Sequence, residues 1–102
     1  MLEKKIEEAV YTYAVSKGML HYKFTSPNRR SVPDQLFIKP DGNVFFIEFK
    51  RTGETATPPQ QREHARLREN NVNVYVCDDI AQGKKIIDDE LWLSKLLEDQ
   101  LT

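Results

Sequence analysis

The order of elements written into this sequence predicts an α/β fold, a central mixed β-sheet flanked by helices. Three observations carry it. Two strand-like stretches, residues 34–39 and 43–50, stand on either side of the turn-forming KPDGN, the mark of a hairpin. Amphipathic segments of helical period open and close the chain. A capped helix separates the hairpin from a further β-branched run, VNVYVC, and a parallel strand reached by a right-handed crossover needs that order.

Leu2, Ile6, Ala9, Val10 and Tyr13 recur at helical spacing and Gly18 follows as a stop, so residues 2–17 are predicted as the first helix. Glu3 and Glu7, four apart, share a face of it. MLHYKFT reads as a strand, ended by the loop SPNRRSVP with its two prolines and paired arginines. The hairpin strands come next, then the loop RTGETAT. Thr57 caps a helix that has Pro58 at its first position and runs to about Asn70. VNVYVC is the last strand, expected parallel to residues 43–50. The remainder is mostly helical, with Ile80, Ile86, Ile87, Leu91, Leu96 and Leu97 on its apolar side and Trp92 and Leu93 also expected in the core.

At 102 residues the chain has material for one core, hence a single domain over residues 1–102. Hydrophobic residues at 39% and charged residues at 30% exclude a disordered or membrane-embedded chain. No apolar run approaches the length of a bilayer span, and MLEKKIEEAV is unlike a secretory signal, so a soluble, cytoplasmic protein without membrane contact is expected. Cys77 is the sole cysteine, which rules out an internal disulfide or a cysteine-based zinc site. The net charge of −1 does not suggest a nucleic-acid binder, but its distribution is uneven. Residues 21–70 hold nine Lys/Arg against six Asp/Glu, whereas residues 78–102 hold three against seven.

The hairpin turn aligns the unusual charges of the strands. If Pro40 and Asp41 take a type I turn and Gly42 the left-handed conformation, Lys39 faces Asn43. Counting back by twos pairs Ile38 with Val44, Leu36 with Phe46, and Asp34 with Glu48. The two carboxylates become cross-strand neighbours with β-carbons roughly 5 Å apart. Lys50 shares their face, while Phe45, Ile47 and Phe49 point the other way and need a helix to cover them. Adjacent carboxylates repel, and a divalent cation removes that cost. Magnesium takes carboxylate and carbonyl oxygens and keeps several waters, so Asp34, Glu48 and the backbone carbonyl of Phe49 are candidate metal ligands. Lys50 is placed to orient a bound water or to stabilise charge on a phosphate.

Pro33-Asp34 followed by Glu48-Phe49-Lys50 resembles the PD-(D/E)xK nuclease signature. YKFTSPNRRSVPDQLFI, VFFIEFK, TPPQQREHARL and VNVYV, in that order, resemble the stand-alone VRR-NUC (virus-type replication-repair nuclease) domains of phages and bacteria. The likeness spans residues 3–77. It implies a restriction-endonuclease-like core of αβββαβ order, and a Mg2+- or Mn2+-dependent nuclease for branched DNA in a bacterial or phage-infected cell. Stand-alone members act as homodimers on four-way Holliday junctions, and one site per chain against two incisions per junction also calls for a two-fold dimer.

Carried over by position, the resemblance makes Asp34 and Glu48 metal ligands, Lys50 the catalytic lysine and Gln60 a further polar group of the active site. It also implies a glutamate from the first helix, as a further catalytic residue and metal ligand. Glu7 is the preferred match, because its distance to Gly18 resembles the spacing in archaeal junction resolvases, and Glu3 is the alternative one turn away. The sequence departs from the usual pattern at Ser31, where a glycine commonly stands, and at Phe49 and Arg51.

Arg29 and Arg30, beside the proposed metal site, are placed to grip DNA phosphates, with Lys23, Arg51, Arg62 and Arg66 extending the track. His64 reads as a packing or capping residue outside the site. Two other readings fit the same residues: a branched-DNA-binding module of this fold without catalysis, and a protein–protein adaptor that docks through its acidic C-terminal helix.

Overall fold

The computed structural model describes residues 1–101. The elements run α1 (Glu3–Ser16), β1 (Leu20–Lys23), β2 (Gln35–Ile38), β3 (Val44–Phe49), α2 (Pro58–Glu69), β4 (Asn73–Cys77) and α3 (Ile80–Leu101). Among the described residues the strands form one sheet in the order β1-β2-β3-β4. The first three are antiparallel, and β4 lies parallel to β3. This is the mixed sheet, with its last strand parallel to the third, expected from the sequence.

The hairpin has the expected turn. Lys39 N donates to Asn43 O at 2.8 Å and Gly42 N to Lys39 O at 2.9 Å, with Gly42 at φ +86°, where a side chain is costly. Asp41 Oδ1 accepts from Asn43 N at 2.9 Å and closes the loop. Ile38 therefore pairs with Val44 and Leu36 with Phe46. On the crossover, Thr57 and Gln60 form a reciprocal capping box, Gln60 N donating to Thr57 Oγ1 and Thr57 N to Gln60 Oε1.

Alternation sends Phe37, Phe45, Ile47 and Phe49 to one face of the sheet, where α1 and α3 cover them. Ile6, Val10 and Ala14, each one turn apart, form the buried stripe of α1. Ile86 and Ile87 do the same for α3, with Ile80 and Leu91 packed beside them. The two helices meet closely at Gly83, where an added β-carbon would sit 2.2 Å from Val10 Cγ2 and 3.1 Å from Cys77 Sγ. α2 lies on the opposite face, and Arg68 reaches from it to the Val74 carbonyl at 2.7 Å.

Leu2, expected as the first residue of the opening helix, is its N-cap and is 61% exposed. One expectation about the core needs correction. Trp92, Leu93, Leu96 and Leu97 are exposed and not in the core, Trp92 by 62%. The reason is length. α3 has 22 residues, about 33 Å of helix, while the strands beneath it have four to six residues and span about 13–20 Å. The helix outruns the sheet after Leu91, and the apolar stripe continues where there is nothing left to cover.

At that end of the sheet the interior is polar. Lys39 Nζ lies 2.8 Å from Glu90 Oε1, and both side chains are almost wholly buried. Asn73 Nδ2 donates to Glu90 Oε2 at 2.8 Å, and the Tyr75 hydroxyl donates to the same oxygen.

Candidate active site

Asp34 stands where the loop after β1 becomes β2. Its carbonyl accepts from Phe24 N at 2.7 Å, which adds one bond to the β1–β2 ladder. Pro33 is fully buried, and its burial helps fix the backbone while the Asp34 side chain stays exposed. Extending the β2–β3 register by two residues past the Leu36–Phe46 pair sets Asp34 opposite Glu48. Glu48 is 8% exposed, on the sheet face turned toward α2. Lys50 follows at the strand's end, its N–H donating to Cys77 O at 2.8 Å as the last bond between β3 and β4.

Glu48 and Glu7 feel the carboxylates around them. Burial pushes the Glu48 carboxyl up from its ordinary 4.5 to about 7, with Lys50 opposing the rise and Asp34 and Glu3 adding to it. Glu7 is also raised, first by burial, then by Asp34 and Glu3, with His21 and Lys23 opposing. Both α1 glutamates named from the sequence thus share the field of Asp34 or Glu48. Among the described residues, however, no three His, Cys, Asp or Glu side chains are grouped to hold a metal ion by themselves. The donor set fits an ion that takes one or two carboxylates, a carbonyl and several waters, as magnesium does. Hard oxygen donors and a carboxyl held protonated by burial and like charge are what such an ion would relieve.

That shift has a measurable sign. Without metal, folded Glu48 keeps a proton that the unfolded chain releases above about pH 4.5, so stability falls as pH rises from 4.5 to 7 and stays low beyond. A shift of this size is worth on the order of 3 kcal/mol. Urea unfolding in chelator should show the loss between pH 5 and pH 8, and Glu48→Gln should remove most of it. A cation that takes the ionised carboxylate reverses the trend, and its affinity should drop about fivefold from pH 7 to pH 6.

α2 supplies a residue that the sequence reading placed outside the site. His64 is 1% exposed with Nε2 3.4 Å from Glu48 Oε1. Burial lowers its pKa, helped by Arg68 and Lys50, so the ring is neutral at neutral pH. With its proton on Nε2 it can steady one carboxylate oxygen and leave the other for a ligand. A signal for this was present: α2 carries almost no apolar residues, so Glu63 and His64 must form its buried side.

The other candidates separate into groups. Gln60 lies on the first turn of α2, half-buried, and its side-chain oxygen is taken by the capping box. Lys23 and Arg51 share an open depression with Glu3, Lys4 and Glu7, next to the carboxylates. Arg51 also pairs with Glu54 at 3.4 Å, an exposed contact worth little. Arg30 and Arg62 are exposed, as is Arg66. Arg29 is different: its Nε lies 2.7 Å from Glu63 Oε2, and that carboxylate is buried.

No family model matches the chain. A protein of Acyrthosiphon pisum secondary endosymbiont phage 1, described as "Putative nuclease p44", is 45% identical over 76 residues, which cover 74% of this chain and 82% of that protein. A solved structure described as "VRR_NUC domain" superposes with a TM-score of 0.78 at 31% identity, covering 84% of this chain and 94% of the other. Both similarities extend over most of each partner. With the strand order, they place the chain in the VRR-NUC family of nuclease domains.

Proposed function

We propose that this protein is a structure-selective DNA endonuclease dependent on Mg2+ or Mn2+, and that it acts as a homodimer on four-way junctions. The observation that carries the reading is the charge cluster at Glu48, a buried carboxylate that feels both the Asp34 carboxylate and the Lys50 ammonium. Asp34, Glu48 and the Phe49 carbonyl would hold the cation. When bound, it supplies Lewis acidity and makes a water a better nucleophile at neutral pH. Lys50 lies close enough to Glu48 to oppose the rise of its pKa, and from there it would orient the attacking water and offset charge growing on the scissile phosphate. Glu7, with Glu3 one turn before it, stands on the α1 side as a base or an outer ligand reached through water. Gln60 retains its amide NH2 group as a donor to a backbone oxygen.

Lys23, Arg30, Arg51 and Arg62 form the proposed DNA track. All are exposed, and phosphate contacts of this kind position the substrate without reading sequence. One site per chain and two strands to cut make the two-fold dimer the economical assembly. No described helix is long and apolar enough to cross a membrane.

The test compares a labelled four-way junction with linear duplex of the same sequence, in magnesium, manganese and chelator, alongside the oligomeric state in solution. Paired, metal-dependent nicks in the junction by a dimer are expected. Equal cutting of the duplex would remove the branch selectivity, and paired nicking by a monomer would remove the dimer. Binding without products would favour a non-catalytic DNA module, and neither binding nor cutting would favour an adaptor.

A further inference from the structure

The loop that delivers Asp34 contains a residue in an unfavourable conformation. Ser31 has φ +66°, in the left-handed region where a side chain crowds its own backbone and glycine does not. Such a conformation persists only where the surroundings hold it. Three contacts surround it. Phe24 N bonds the Asp34 carbonyl at the base of the loop. The Phe24 ring packs edge-on against Phe46 with centroids 5.7 Å apart. The third contact reaches furthest along the chain, from Arg29 Nε to Glu63 Oε2 at 2.7 Å, with Glu63 almost wholly buried and Arg29 half exposed.

A carboxylate at 6% exposure needs a partner. Arg29 provides it only while the loop keeps its shape. Its neighbour on the same turn of α2, His64, reaches Glu48. Two adjacent residues of one helix therefore meet both halves of the candidate metal site, one directly and one through the loop.

We infer that Glu63 is a positioning residue for the reaction: its ion pair with Arg29 clasps the β1–β2 loop in the Ser31 geometry that sets Asp34 opposite Glu48. Glu63 touches neither substrate nor metal in this scheme. Arg29, expected from the sequence to grip DNA, works chiefly inside the protein. The inference rests on the metal-dependent nuclease reading above.

The test uses the full chain as wild type, Glu63→Gln, Ser31→Gly and the double variant. It measures Mn2+ affinity by calorimetry, junction binding in chelator across a salt series, and junction cutting. Glu63→Gln should weaken Mn2+ binding and slow cutting, each about tenfold or more, as loss of an outer support to a metal ligand does. Junction binding in chelator should stay within about twofold of wild type, since no phosphate contact is removed. Ser31→Gly, which lets the loop take the left-handed geometry without a clasp, should bring the double variant back to within about threefold of wild type. Rescue of this kind separates positioning from a general loss of fold. Should Glu63→Gln fail to fold, Arg29→Met combined with Glu63→Gln, which removes the clasp without leaving a buried charge unpaired, carries the same expectations.

Unchanged Mn2+ affinity in Glu63→Gln would overturn the clasp, as would failure of Ser31→Gly to restore it. A fall of about one in the log–log salt slope for Arg29→Met, with Mn2+ binding intact, would return Arg29 to the DNA track and overturn it too. If wild type itself neither bound Mn2+ nor cut, the nuclease reading would fall and the clasp with it. A wild type that cuts beside an equally active Glu63→Gln would sink the clasp alone.

Discussion

Asp34→Ala is expected to lower metal-dependent junction cutting by about 10³-fold or more, because a lost ligand forfeits several kcal/mol of charge stabilisation at the reacting phosphate. The side chain is exposed, and the backbone bond from Phe24 N to the Asp34 carbonyl does not depend on it. The melting temperature should therefore stay within a few degrees of wild type. Removing Asp34 also removes a charge that raises Glu48, so the Glu48 carboxyl should titrate lower in the variant. Junction binding in chelator should be equal or tighter, since one negative charge has left the surface proposed to bind DNA. Cutting at the wild-type rate would sink the assignment, whatever the binding did.

The substitution expected to cost the most stability lies on the helix-covered face of the sheet, opposite the face that Glu48 occupies. Gly83→Ala puts a methyl group 2.2 Å from Val10 Cγ2, between two helices whose facing residues are fully buried. Alanine is the better helix former by about 1 kcal/mol, but overpacking of this severity costs about 3 kcal/mol or more. Val10 cannot turn aside easily, because a β-branched side chain in a helix has one strongly preferred rotamer. A net loss of about 2 kcal/mol should lower the melting temperature by on the order of 10 °C. Val10→Ala in the same chain should recover part of it, so that the double variant is more stable than the sum of the single losses predicts. Strict additivity in thermal or urea unfolding would show that the two helices do not meet as described.

Local chemistry explains which expectations held. KPDGN specifies its own turn, and a turn specifies a register, so the strand pairing up to Leu36 and Phe46 was legible before any coordinates. Thr57 and Pro58 marked the start of α2 for the same reason: both act within one turn of helix. What escaped was contact across long separations. Arg29 and Glu63 are 34 residues apart, and no spacing rule joins a loop arginine to a helix glutamate. His64 looked like packing, and it is buried as packing residues are, but its neighbour is Glu48. Gln60 was visible as a polar residue at the start of α2, though not as half of a capping box. The apolar period of α3 was read correctly as a stripe. A stripe does not say where its cover ends, and Trp92 and Leu97 lie beyond that point.

The buried pair of Lys39 and Glu90 bears on how faithfully the chain assembles. Lys39 is the last residue before the hairpin turn, and its ammonium meets Glu90 only when β2 and β3 are in step. If β2 slipped by one residue against β3, its side chains would swap faces. Lys39 would leave the interior, and Glu90 would lose its cation while still bonded to Asn73 and Tyr75. An uncompensated buried charge costs several kcal/mol, so the misaligned hairpin is strongly disfavoured. The same slip would separate Asp34 from Glu48. The fidelity of the carboxylate pair is thus guarded at the opposite end of the hairpin, by a contact that takes no part in the chemistry.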